Sequence, residues 1–143
     1  MLAVDTSILV YSHRRETSEH AKAFATLRAL VQGEEPWAIP WPCLYEFFSV
    51  VTNPRIWKDR ATPPPQAIAQ IEAWTSSPSL RLIGETEQFL PILVGLLKPK
   101  VKGPVIHDAR IAAICIAHSV EALLTRDRDF SLFSDLAVRN PID

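Results

Sequence analysis

The stretch VIHDARIAAICIAHSVEALLTRDRDF, Val105 to Phe130, bounds its most apolar run with acids. Asp108 stands at its opening; Asp127 and Asp129 stand after it. The middle, about His107 to His118, is nearly all apolar and reads as a helix buried on most of its circumference. EALLT, Glu121 to Thr125, then reads as a buried strand. A helix feeding a short apolar strand is the repeating step of an α/β chain.

The rest of the chain continues that alternation. LAV (Leu2 to Val4) is a short strand ending at Asp5, and ILVY after it opens a helix or prolongs the strand. A helix is expected from about Ser18 to Val31, with Gly33 past its end. WAIP (Trp37 to Pro40) is a second strand. Pro42 suits the first turn of a helix through LYEFFSVVTN, which Asn53-Pro54 stops. ATPPP is a rigid loop leading to a helix near Gln66 to Trp74. LRLI is a third strand, and Thr86 to Leu97 a further helix in which Pro91 sits awkwardly. PKVKGP is a linker, and AVRN before Pro141 a last short strand. Short strands alternating with helices predict one domain, residues 1–143, built as a three-layer α/β/α sandwich around a parallel sheet of about five strands.

In such a sheet, strand ends and helix starts share one edge, where ligands bind. Asp5 ends the first strand, and Glu46 lies in the opening turns of the helix after the second. Asp108 starts the apolar helix, and Asp127 lies just beyond the fourth strand. All four are expected on one rim. Each has an ordinary explanation: Asp5 bonding the turn amides at Thr6 and Ser7, Asp108 as a first-turn acid, Glu46 facing water, Asp127 and Asp129 as turn residues. Together they repel. At about 4 Å each pair costs roughly 4 kcal/mol at an effective dielectric near 20, a cost that a divalent cation removes. Hard oxygen donors favour Mg²⁺ or Mn²⁺ over zinc. Such an ion with open positions suits phosphodiester hydrolysis. Thr6, Ser7 and Thr125 place hydroxyls beside the acids. His107, Arg126 and Arg128 stand where they either meet an RNA backbone or are ordinary surface and loop charges.

The 143 residues are 48% apolar and 22% charged, which excludes a disordered chain. No apolar stretch is long enough to span a bilayer and the N-terminus lacks a basic leader, so a cytoplasmic protein is expected. Cys43 and Cys115 form no CxxC pair and read as buried free thiols. Net charge is −1, but with four of the 16 acids in one site, 12 remain against 15 bases. The bases cluster at Arg14-Arg15, Arg55-Lys58-Arg60 and Lys98-Lys100-Lys102.

Three segments, DTSILVY from Asp5, PWPCLYEFFSVVTNPRIW around Trp41, and HDARIAAICIAHSVEALLTRDRDF from His107, make the chain resemble the PIN-domain ribonucleases, specifically the VapC toxins of type II toxin–antitoxin pairs. The likeness extends over nearly the whole chain. It implies Mg²⁺-binding catalytic acids at Asp5, Glu46, Asp108 and Asp127, with Asp5 and Asp108 as the main metal ligands and Thr6 and Thr125 in support. It also implies an RNA substrate, a homodimer, and a small antitoxin reaching into the site. Two positions depart from the family pattern. Ser7 stands where Asn is common, leaving a hydroxyl to bond a neighbouring acid. Ser119 stands where Gly often follows the apolar helix, at up to about 1 kcal/mol if that position is left-handed. Asp129 competes with Asp127 for the loop ligand; Asp127 is nearer the strand.

Two other readings compete. A phospho-receiver signalling domain also has an acidic Mg²⁺ pocket, but it needs an Asp after the third strand, where LRLIGETE offers only Glu85 and Glu87. An inactive PIN scaffold would keep the fold and bind a partner without cleaving.

Overall fold

The computed structural model describes residues 1–143. Five parallel strands form one sheet: β1 (Leu2–Val4), β2 (Trp37–Pro40), β3 (Leu80–Ile83), β4 (Ala122–Leu124) and β5 (Val138–Arg139). Their order is β3-β2-β1-β4-β5. Flavodoxin-like sheets, which include the receiver domains, run 2-1-3-4-5, so the topology departs from the signalling alternative. Seven helices flank the sheet: α1 (Thr6–His13), α2 (His20–Gln32), α3 (Trp41–Val51), α4 (Pro54–Trp57), α5 (Pro64–Thr75), α6 (Phe89–Leu96) and α7 (Val105–Ala117).

The centre of the sheet brings distant acids to one edge. Ala3 pairs with Ala38 on one side and with Leu123 on the other. The amide of Asp5 donates to the Leu124 carbonyl at 3.0 Å. β1 and β4 therefore end side by side, and so do Asp5 and Thr125. ILVY belongs to helix α1, not to a longer strand, because Asp5 is still extended and the helix begins at Thr6.

Prolines set several helix starts. Pro42, Pro54 and Pro64 occupy first-turn positions, where the missing N–H has no helical partner. The expected helix from Gln66 thus begins at Pro64. α6 begins at Phe89 rather than Thr86, which puts Pro91 in the first turn. α7 begins at Val105, two residues before the expected start. The four-residue α4 and the 3₁₀ turns at Lys58–Arg60 and Arg128–Leu132 were not foreseen.

α7 is buried along Ala109, Ile111, Ala112, Ala113, Ile114 and Cys115. It ends in a Schellman turn: the Val120 amide donates to Cys115 O and the Ser119 amide to Ile116 O, both at 3.0 Å. Ser119 has φ 54°, so the left-handed position carries a side chain. His118 Nε2 meets the Gly84 carbonyl at 2.9 Å, tying the end of α7 to the segment after β3. No helix is long and apolar enough to cross a membrane.

Candidate active site

Asp5 is 4% exposed at the end of β1. Its Oδ2 accepts the Thr125 hydroxyl at 2.6 Å, and its Oδ1 faces the Cys43 thiol at 3.6 Å. It makes no side-chain cap hydrogen bond to α1, although the Thr6 backbone amide favours its charged form. Burial pushes its carboxyl above the ordinary range; the Thr125 hydroxyl opposes that shift and the Asp127 charge adds to it.

Glu46 is half-buried, not turned to water. The Thr6 hydroxyl donates to its Oε2 at 2.9 Å. Burial raises its pKa, the Thr6 bond and the positive fields of His107 and Arg110 lower it, and Asp5 raises it again. Thr6 and Thr125 therefore each hold one acid.

Asp108 lies in the first turn of α7. Carboxylate oxygens of Asp108, Asp127 and Asp129 all lie within 4.8 Å of one another. Burial, then the charges of Asp127, Asp5, Glu46 and Asp129, push Asp108 up to about 7. The charges acting on it are those of the other three acids expected on the rim, and of Asp129. Both loop acids reach the cluster. Asp127 also shapes its own loop: its Oδ1 accepts the Asp129 amide at 2.8 Å, and its amide donates to Thr125 Oγ1 at 3.0 Å.

Ser7 departs from expectation. Its hydroxyl bonds no acid; it accepts the Arg126 amide at 3.1 Å and lies 3.4 Å from Thr125 Oγ1. The short arm reaches the loop backbone, while Thr125 already serves Asp5. Arg126 is also not free, being paired with Glu19 and lying over the Tyr11 ring at 5.5 Å. Arg128 and His107 are exposed.

Three residues at the site escaped the sequence reading. Cys43 lies one helical turn before Glu46, a spacing that could have revealed it. Arg110 pairs with both oxygens of Glu85, at 3.1 and 3.2 Å. Glu19 anchors Arg126, with no local signal in the sequence. Both cysteines are free and buried, with burial pushing Cys115 up to about 12 and Cys43 well above its ordinary value. They are neutral thiols, which leaves an all-oxygen donor set on the rim.

A profile of the PIN domain matches residues 2–136, and the chain belongs to the PIN-domain family. Within it the chain groups with the VapC ribonucleases. It is 32% identical over 144 residues to ribonuclease VapC43 of Mycobacterium tuberculosis, covering 100% of this chain and 97% of the relative. It is 29% identical over 138 residues to ribonuclease VapC48 of the same organism, covering 96% and 94%. The fold matches the crystal structure of M. tuberculosis VapC20, a sarcin-ricin loop cleaving toxin, with a TM-score of 0.70 at 18% identity over 98% of this chain and 100% of that one. It also matches FitAcB from Neisseria gonorrhoeae, with a TM-score of 0.68 at 22% identity over 99% and 98%.

Proposed function

We propose that the chain is a metal-dependent endoribonuclease and the toxin of a type II toxin–antitoxin pair, acting in the cytoplasm as a single domain over residues 1–143. The observation that carries the reading is the approach of Asp108, Asp127 and Asp129 to within 4.8 Å beside the buried Asp5. Burial, and then like charges this close, raise Asp108 to about 7. A hard divalent cation removes that repulsion, so the donor set fits Mg²⁺, with Mn²⁺ as a substitute. Asp5 and Asp108, with Asp127 or Asp129, would hold it. A bound Mg²⁺ polarises a phosphoryl oxygen and lowers the pKa of water.

The protein groups do the rest. Thr125 fixes Asp5 and the Asp127 amide together, so strand end and loop move as a unit. Thr6 orients Glu46, whose raised pKa suits it to take a proton from the attacking water. Arg128 and His107 stand exposed to meet backbone phosphates. Attack of water on the phosphodiester leaves a phosphate monoester. A small antitoxin that covers the acidic rim, and assembly as a homodimer, belong to the same reading.

The test is RNA cleavage by the purified chain with Mg²⁺, with chelator, and as Asp5→Asn and Asp108→Asn, each checked for fold by circular dichroism. Cleavage is expected only for the parent chain with metal. Undiminished cleavage by a folded Asp5→Asn protein would sink the assignment. Mn²⁺ binding with no cleavage of any RNA would instead favour the inactive scaffold.

A further inference from the structure

Arg14 and Arg15 of one basic cluster and Arg60 of another line one cavity of about 580 Å³. None of the rim acids lines it. It opens at the far end of α1, roughly 12 Å along the helix from Asp5 at 1.5 Å per residue.

The cavity is lined mainly by polar and charged side chains. Arg14 is 6% exposed, and its guanidinium carbon sits 3.9 Å from the Trp57 ring centroid. Its Nη1 donates to the Arg60 carbonyl at 2.7 Å and to Thr62 Oγ1 at 3.2 Å, and its Nη2 pairs with Glu16 at 2.6 Å. Its Nε is buried with no partner, a costly state for a donor. His13 meets Gln70 Oε1 at 3.1 Å and Thr62 Oγ1 at 3.0 Å, which fixes the wall between α1 and α5. The guanidiniums of Arg14, Arg15 and Arg60 and the one carboxylate of Glu16 line it together.

We propose that this cavity is a phosphate-binding site, distinct from the acidic rim. Guanidiniums bond phosphate through paired N–H groups, and stacking on Trp57 spares Arg14 the cost of ordering. The exposed guanidiniums of Arg15 and Arg60 supply more donors than the two oxygens of a carboxylate can use, which favours phosphate over an acidic side chain. The phosphate belongs either to an RNA backbone or to a free nucleotide.

The test is an NMR titration of the full chain in chelator, so that no RNA is cut and the outcome does not depend on the nuclease assignment. Inorganic phosphate, adenosine monophosphate and a short single-stranded RNA are added at constant ionic strength. Saturable shifts are expected at the Gln70 side-chain amide and the Trp57 indole. The exposed double variant Arg15→Ala/Arg60→Ala should weaken phosphate binding at least about tenfold. Arg14→Lys, which keeps the charge but loses the fork, should weaken it also. If RNA affinity falls with phosphate affinity, the occupant is a backbone phosphate; if RNA affinity holds, it is a free nucleotide. No saturable shift with phosphate, or shifts undiminished in both variants, overturns the site.

Discussion

The Thr125 hydroxyl donates to Asp5 Oδ2 at 2.6 Å across 120 positions of sequence, and the same oxygen of Thr125 accepts the Asp127 amide at 3.0 Å. One buried hydroxyl thus sets the spacing between a strand-end acid and a loop acid. Thr125→Val keeps the shape and removes both bonds. Partners that orient metal ligands are worth about 10–100-fold in metal affinity or activity. We expect Mg²⁺-supported cleavage to fall by about that range with the fold retained. A midpoint for Mg²⁺ activation unchanged from the parent would show that the hydroxyl does not position the acids.

The raised pKa of Asp108 predicts how the metal-free protein responds to pH. Its folded value, about 7, exceeds the ordinary 3.8. Between those values the folded chain holds more protons than the unfolded one, so stability falls as pH rises through the window. In chelator, the melting temperature should fall between pH 5 and pH 8. Asp108→Asn should flatten that slope, and the difference between the two proteins isolates this group. Added Mg²⁺ should raise the melting temperature more at pH 8 than at pH 5, because protons compete with the ion for the same oxygens. Parallel slopes for parent and variant would remove Asp108 as the cause.

Ser119 holds the left-handed position of the Schellman turn at φ 54°. Glycine adopts that conformation without a Cβ penalty. Its greater freedom in the unfolded chain offsets part of the gain. Ser119→Gly should therefore stabilise the fold by no more than about 1 kcal/mol, or roughly 3 to 5 °C in melting temperature. Thermal denaturation checks this, and a variant that melts lower than the parent contradicts it.

Some of this architecture was readable in the sequence because its signals are local. The buried strands are unbroken apolar runs such as LAV and WAIP, and each leads towards an acid or a proline that starts the next helix. Strand alternation with helices was enough to bring Asp5, Glu46, Asp108 and Asp127 to one edge. What joins them was not readable. Thr6 reaches Glu46 over 40 positions, and Arg14 reaches the Arg60 carbonyl over 46. No periodicity carries such pairings. The four-residue α4 is likewise set by the Asn53 side chain accepting the Arg55 amide, a cap too short-ranged to announce a helix. Ser7 shows the same limit from another side: its residue type was known, but its partner depended on Thr125 already being engaged by Asp5.

Glu19 anchors the loop that carries Asp127 and Asp129, through its pair with Arg126. The Arg126 amide is held separately by Ser7. Beside the Thr125 bond to the Asp127 amide, Arg126 therefore gives the loop two tethers, one on its side chain and one on its backbone. Glu19→Gln weakens only the first. Ion pairs at a partly exposed surface contribute little, so amide exchange at Arg128 and Asp129 should speed up by no more than about fivefold. Ser7→Ala removes the backbone tether and should accelerate exchange at the Arg126 amide itself. If the tethers act together, the double variant loosens the loop by more than the product of the single effects, and Mg²⁺-dependent cleavage falls with it. Simple multiplication of the two effects, measured by hydrogen exchange, would show that each tether holds its own part of the loop alone.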